Sequence, residues 1–499
     1  MNVIHILCDT LRRDHCGPYH QGRPLNEVDS PEQPGWVVPT PNLDRLAARG
    51  TVFERAYAGS TPCMPARRDV FTGRYEFPER GWGPLEEGDL DLPSLLSPPH
   101  TTPITSYGAD DVVSYFISDH KNMWCAGSGN YHFGFSGFEF IRGQQEDPWA
   151  TTSDPFYCPP PDLPSKLERY WRNKHRFGDR EQDMPVARTF STAAAWLRRN
   201  AGHRGFYLQI DEFDPHEPWD PPEEILRQFD PRGYYTDAWS SHPPYAKWGD
   251  HMDEEELRGF QARYAGKVVL ADRWLGRVLD AMDELDLWRN TMVIVHTDHG
   301  TFNGDHGRIG KLQTHEFAAK NMIPFIVYHP ELGHGERRGQ LVQNVDIYAT
   351  VLAAFGRELP EGRHGVNLLP VLADPAAPTR DWAIAGQFAR SATITDGRWT
   401  LHQGPDPEQP LYWYGYHQQR FYGGRQVLGP YAGGRRLVER DPVPADYRGT
   451  WLSDLEADPS ERRNVADRYP DRVAALRTAL ADTFDRIGAP AELRPRFRL

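Results

Sequence analysis

Four short apolar runs stand out along the chain: VIHIL from Val3 to Leu7, RGFYLQI from Arg204 to Ile210, TMVIVHT from Thr291 to Thr297 and IPFIVYH from Ile323 to His329. Continuous apolar runs of this length predict strands buried on both faces. Between them lie stretches with apolar residues at helical spacing, among them TPNLDRLAARG, TFSTAAAWLRRN and YAGKVVLADRWLGRVLDAMDELDL. The alternation predicts an α/β protein whose parallel sheet is covered by helices on both faces. In such sheets ligands gather beyond the carboxyl ends of the strands. The first three runs lead directly into CDT, DEFD and TDHG, so each predicted strand ends at an Asp or an Asp/His cluster.

Two long segments interrupt this pattern. Trp149 to Met184 is rich in Pro, Asp and aromatic residues, and Pro215 to Asp253 contains WDPPEEILRQFDPRGYYTDAWSSHPPY. Connections longer than usual are candidate pocket walls or subunit contacts. After LADPAAPTRDW the texture changes to short alternating runs, WAIAGQFARSATITDGRWTLHQG, PLYWYGYH and RRLVERD, closed by the helical stretch YPDRVAALRTALADTFDRIG. This predicts a catalytic α/β domain over residues 1–374 and a smaller C-terminal domain of antiparallel strands and helix over 375–499.

Composition narrows the function classes. At 499 residues, with 39% hydrophobic residues and 15 tryptophans, the chain can bury a large core. A net charge of -14 and the lack of a basic stripe or zinc-finger spacing argue against a nucleic-acid partner. Five cysteines (Cys8, Cys16, Cys63, Cys125 and Cys158) are too few and too odd for a disulfide scaffold. The opening MNVIHILCDTLRRDH enters a strand at once, with no pattern of a secretory signal, and no run is long enough to span a bilayer. A cytoplasmic protein with no membrane partner is expected.

The chemistry concentrates on Asp9, Asp298, His299 and Cys63. Strand ends can bring the two carboxylates and the imidazole together around one divalent cation. Oxygen ligands suit calcium, magnesium or manganese, and the imidazole shifts the expectation toward manganese or zinc. Taken singly, Asp9 reads better as a helix N-cap than as a metal ligand, and TDHG reads as a turn. The doubled triplet in DHGTFNGDHGRIGK favours the metal, with Asp305 and His306 as loop-shaping or supporting residues.

Cys63 lies in GSTPCMPARRDVFTGRYEF. Pro65 can open a helix, which places Cys63 before a positive helix end where a thiolate or a bound anion is favoured. Arg67, four residues on, can reach an oxyanion attached to residue 63. The plain alternative is a small buried thiol beside a helix cap.

The string CMPAR (Cys63 to Arg67) resembles the Cys-x-Pro-x-Arg signature of the type I, formylglycine-dependent sulfatases of the alkaline phosphatase superfamily. The similarity extends through CDTLRRDHCG, PNLDRLAARGTVFERAYAGS, DPHEPW, VIVHTDHGTFNGDHGRIGKLQTHE and LSDLEADPSERRNV, in the family's order. The resemblance implies the alkaline-phosphatase/sulfatase fold, an α/β fold with a mixed, mostly parallel sheet covered by helices and a smaller C-terminal α+β domain, and metal-dependent hydrolysis of a sulfate ester. It implies that a formylglycine-generating enzyme oxidises Cys63 to the aldehyde, whose hydrate attacks with one hydroxyl and expels product with the other. Asp9, residue 63, Asp298 and His299 would hold one calcium or manganese ion, with zinc possible. Arg67 would hold the hydrate, Lys311 the sulfate oxygens, and His216 would act near the leaving oxygen. Arg12 would complement the site electrostatically or form a supporting salt bridge.

Two departures matter. The family's Asp-Asp pair is Asp9-Thr10 here, and its later Asp-Asn is Asp298-His299, features closer to phosphonate monoester hydrolases and choline-sulfatase-like members. The GKWHLG-like segment is absent, leaving Asp119, His120, Lys121 and His132 as substitutes, with His120 foremost and an exposed loop histidine as the equal alternative. The substrate is expected to be a small-molecule or saccharide sulfate ester, with a phosphonate monoester or phosphodiester as the rival. An unmodified, inactive metal-binding homologue ranks lower, as do a two-metal phosphomutase-like enzyme and a binding protein. Trp219, Tyr234, Tyr235, Trp239 and His242 are candidate pocket residues, and a homo-oligomer is possible.

Overall fold

Eight strands form the main sheet of the computed structural model, which describes all residues except 29, 97–111, 126–127, 160–164, 231–240, 312–314, 417–426, 433, 441–442 and 444–446. Across the sheet the order is Glu336–Gln343, Thr51–Tyr57, Phe325–Tyr328, Thr291–His296, Asn2–Cys8, Phe206–Glu212, Val113–Ser118 and Gly137–Phe140. Asn2–Cys8 lies centrally, parallel to both neighbours, with Ile4 opposite Leu208 and Val293. Phe325–Tyr328 alone runs antiparallel to its partners, which makes the sheet mixed.

The central strands are apolar on both faces because both faces are covered. Ile4, Ile6, Leu208, Ile210, Val293 and Val295 pack into one core with the helices Pro185–Asn200 and Glu254–Glu284. Val3, Tyr207, Met292 and Ile294 point the other way, into a core with Cys63–Thr72 and Asp346–Ala354. Fully burying one such side chain contributes about 2 kcal/mol, so these cores fix which end of each strand carries polar residues. The 31-residue helix Glu254–Glu284 starts at a capping box: Asp253 accepts from the N–H groups of Glu255 and Glu256, and the Glu256 carboxylate answers the Asp253 N–H.

A second, smaller mixed sheet lies toward the C-terminus, in the order Thr450–Asp454, Trp399–Gln403, Ser391–Thr395, Ala383–Gln387 and Ser60–Thr61. The alternating runs after residue 380 thus form antiparallel strands, and the helix Pro470–Arg486 covers them. Its last member comes from far upstream: Ser60–Thr61 pairs in parallel with Gly386–Gln387. Sequence pattern gives no sign of this pairing, which ties the residues before Cys63 to the C-terminal sheet. Within Trp149–Met184 the structure contains a helix, Ser165–Phe177, that the sequence reading missed among the surrounding Pro and Asp. Among the described residues no helix is long and apolar enough to cross a membrane.

Candidate active site

The three central parallel strands end side by side, and their ends deliver three carboxylates. Asp9 follows Cys8 directly, Asp211 lies near the end of Phe206–Glu212, and Asp298 stands two residues beyond His296. The helix carrying residue 63 arrives over them. It begins at Cys63 itself, two residues earlier than Pro65 suggests, and stops at Gly73, whose φ of 65° suits a residue without a side chain. Arg67, one turn along, donates back to the Cys63 carbonyl at 3.2 Å.

Asp9, Cys63, Asp298 and His299 each contribute a ligand atom, and these atoms all lie within 4.8 Å of one another in a buried cluster. The Cys63 Sγ is 3.3 Å from His299 Nε2 and 4.0 Å from Asp9 Oδ1. His299 Nδ1 donates to the Gly300 carbonyl at 2.8 Å, so the neutral ring presents the Nε2 lone pair to the cluster. The backbone N–H groups of Thr10 and His299 donate to Asp298 Oδ1 at 3.0 and 2.9 Å. Thr10 Oγ1 donates to Asp9 Oδ1 at 2.5 Å.

Arg67 forms the base of the cluster. Its Nη1 lies 2.9 Å from Asp9 Oδ2 and 2.8 Å from Asp298 Oδ2, while Nε and Nη2 grip Asp211 at 2.9 and 2.7 Å. With Asp9, Asp211 and Asp298 all ionised, one guanidinium leaves two negative charges, the complement of a divalent cation, which would displace the proton that Asp9 otherwise keeps. Asp9 Oδ2 is buried without a hydrogen bond. The oxygen, nitrogen and sulfur donors together with this charge balance fit such an ion, with the imidazole favouring manganese over calcium. Burial, together with the charge of Asp298, pushes the Asp9 carboxyl up to about 8, against the pull of Arg67 and Lys311. Burial would raise Asp298 too, but His299, Arg67 and the Thr10 N–H hold it well below the usual carboxylate range.

The Cys63 thiol is pushed well above its ordinary value by burial and then by Asp9. Desolvation and the two carboxylates thus oppose the thiolate expected at the helix end, while Lys311 and Arg67 favour it.

Around this floor stands a rim drawn from loops. His120 and His216 flank Phe213, with ring centroids 4.7 and 3.9 Å from it. His216 Nδ1 donates to the Glu217 carbonyl at 2.6 Å, leaving Nε2 outside that bond. His120 Nε2 lies 3.2 Å from Asn122 Nδ2; accepting there leaves Nδ1–H as a buried donor without a partner. Burial lowers both imidazoles, helped by Arg67 at His120 and by Lys311 at His216, so both are neutral near pH 7. Lys311 is buried, 3.3 Å from Glu217 Oε1, and its charge acts on Cys63, Asp9 and Asp298.

Other candidates lie elsewhere. Lys121 pairs with Glu146 at 2.6 Å, Asp119 accepts from the Phe213 N–H at 2.8 Å, and His132 packs among Trp124, Phe133 and Phe138. Arg12 bridges Asp14 and Asp305 at 2.6 and 2.5 Å, a supporting salt bridge. His306 stacks on Phe317 at 3.9 Å and shapes its loop. Trp219 is a core residue, fully buried against Phe260 and Tyr264, with its indole N–H on the Pro215 carbonyl. His242 stands 3.8 Å from Glu217 and stacks on Tyr245. Tyr234, Tyr235 and Trp239 lie outside the described residues. Sequence reasoning missed Asp211 and Glu217. Asp211 had a signal, since DEFD follows a strand as CDT and TDHG do, but Glu217 next to a histidine had none.

A family model described as Sulfatase matches residues 1–357. The chain is 28% identical over 431 residues to the multifunctional alkaline phosphatase superfamily protein PehA of Trinickia caryophylli, covering 76% of this chain and 78% of that protein. It is 22% identical over 487 residues to arylsulfatase K of Xenopus laevis, covering 90% and 78%. Among solved structures, BT4656 in complex with its substrate D-glucosamine-2-N,6-O-disulfate superposes with a TM-score of 0.68 at 15% identity, covering 98% of this chain and 99% of that one. The phosphonate monoester hydrolase of Agrobacterium radiobacter gives 0.63 at 19% identity, covering 98% and 95%.

Proposed function

The chain belongs to the sulfatase family, and on that premise we propose that it hydrolyses a sulfate ester through a formylglycine formed from Cys63. The observation that carries this reading is the convergence of Cys63 with Asp9, Asp298 and His299 at the start of the CMPAR helix. A thiol held protonated by its surroundings is a poor nucleophile. Oxidation by the formylglycine-generating enzyme replaces it with an aldehyde whose hydrate carries two hydroxyls. One hydroxyl attacks sulfur and the alcohol departs; the second then loses its proton, the sulfate leaves, and the aldehyde is restored for rehydration.

Asp9, Asp298, His299 and the oxidised residue 63 would hold one calcium or manganese ion, which when bound lowers the pKa of the hydrate and offsets charge on the oxyanion. Lys311 draws in the oxyanion, and His120 Nδ1–H can donate to one of its oxygens. Arg67, fixed by Asp211, keeps the two ligand carboxylates in place and holds the Cys63 carbonyl. His216 handles the proton at the leaving oxygen through Nε2.

Among the described residues the rim supplies one permanent cation, Lys311, already faced by Glu217, and two neutral imidazoles. Such a rim suits an ester carrying a single negative charge, a class that contains sulfate esters, phosphonate monoesters and phosphodiesters. A phosphonate monoester or phosphodiester is the second reading, favoured by Thr10 in place of a carboxylate and by His299 among the ligands. The alcohol is aryl or saccharide, in line with the relatives, and the odd, sparse set of five cysteines is in keeping with a cytoplasmic setting. Protein co-expressed with the formylglycine-generating enzyme should turn over matched 4-nitrophenyl sulfate, phenylphosphonate and phosphodiester, fastest on the sulfate with manganese, and phosphate monoester least. Turnover confined to the phosphorus esters would replace the first reading with the second.

A further inference from the structure

Glu217 stands on the rim and takes no part in the steps above. It is fully buried, and among the described residues neither carboxylate oxygen has a hydrogen bond. Three nitrogen groups surround it: Lys311 Nζ 3.3 Å from Oε1, His242 Nε2 3.8 Å from Oε1, and His216 Nδ1 3.5 Å from Oε2. A dehydrated carboxylate at these distances is costly unless its charge is used.

We infer that Glu217 is a positioning residue that links Lys311 to His216, withholding part of the lysine's charge from the bound oxyanion and stabilising the imidazole whenever it carries a proton. The inference rests on the proposed ester hydrolysis. His216 already spends its Nδ1–H on the Glu217 backbone, so the ring is held with Nδ1 toward the carboxylate. A proton on Nε2 makes an imidazolium, and the nearest negative charge is then Glu217, as a carboxylate supports histidine in hydrolytic triads. Lys311, His120 and His242 oppose that protonation, and His242 lies 3.8 Å from Oε1, the oxygen that also faces Lys311. The same carboxylate competes with substrate and product for Lys311, which weakens oxyanion binding in the ground state and speeds release.

Two consequences separate this role from a structural one. Glu217→Gln should lower kcat at least tenfold for an alkyl ester, whose alcohol must be protonated to leave, and less than threefold for the 4-nitrophenyl ester, whose phenolate needs no proton. It should also bind inorganic sulfate, measured by calorimetry, about tenfold more tightly, because Lys311 is released. Glu217→Asp should restore part of the alkyl rate. Equal losses on both esters, with unchanged sulfate affinity, would overturn the inference. If the wild type turns over no ester, the proposed hydrolysis falls, and sulfate affinity alone decides: tighter in Glu217→Gln upholds the link to Lys311, unchanged removes it. Should Glu217→Gln fail to fold, Glu217→Asp is read by the same two measurements.

Discussion

The floor and the rim of the site are built by opposite rules. The floor stands on strand ends and one helix start, and nearly every polar atom in it is tied: Asp298 by two backbone N–H groups, Arg67 by three carboxylates, His299 by a carbonyl. The rim comes from loops and, among the described residues, leaves the buried Nδ1 of His120 without a hydrogen-bond partner. Regular elements fix positions to fractions of an ångström, which ligation of an ion requires. Unspent donors and acceptors are what an incoming ester can use. The contrast teaches that holding the nucleophile and handling the substrate are separable here.

That separation can be broken by substitution. Cys63→Ala should lower kcat/KM by more than about 10⁴-fold, as removal of a nucleophile does elsewhere, while unfolding in denaturant changes by only about 1 kcal/mol; retained turnover would remove residue 63 from the chemistry. Arg67→Ala leaves Asp9, Asp211 and Asp298 buried without a counter-charge and should cost about 3–5 kcal/mol of stability, a deficit that saturating manganese partly repays in a thermal-shift experiment. On the rim, His216→Gln should lower kcat roughly 10²–10³-fold with the unfolding midpoint unchanged. Equal stability losses at Arg67 and His216 would erase the distinction between floor and rim.

The smallest effect concerns pH. The folded Asp9 carboxyl, at about 8, lies above its unfolded value, so the metal-free protein binds an extra proton. Its contribution to stability is therefore full below about pH 4 and is lost as pH rises toward 8. A cation must displace that proton, so the thermal shift produced by manganese should grow between pH 6.5 and 8.5, with the binding free energy changing by up to about 1.4 kcal/mol per pH unit below 8. A shift independent of pH would place the ion away from Asp9.

Much of the floor was legible before any coordinates. Asp9, Asp298 and His299 follow apolar runs that can only be buried strands, and parallel strands present their carboxyl ends together. Cys63 and Arg67 sit one helical turn apart, so their contact is local. Asp211 obeys the same strand-end rule as Asp9 and was there to be read. The rim was not legible in this way. His120, His216, Glu217 and Lys311 belong to three separate segments, and their meeting depends on how loops fold back over the sheet. Trp219 shows the hazard: in a loop full of aromatic residues it reads as a pocket wall, yet the helix Glu254–Glu284 covers it completely.

The sequence alone thus determined four of the eight strands of the main sheet, the three central ones among them, with their helical cover and the ends at which charge collects, because hydrophobic period and strand burial are local properties of the chain. Only the tertiary structure decided that Ser60–Thr61 joins the C-terminal sheet, that Arg67 spans three carboxylates, and that Glu217 faces Lys311. Those contacts link residues far apart in the chain, and long-range pairings of polar groups leave no periodic trace. They follow from which surfaces are left to meet once the apolar cores have closed.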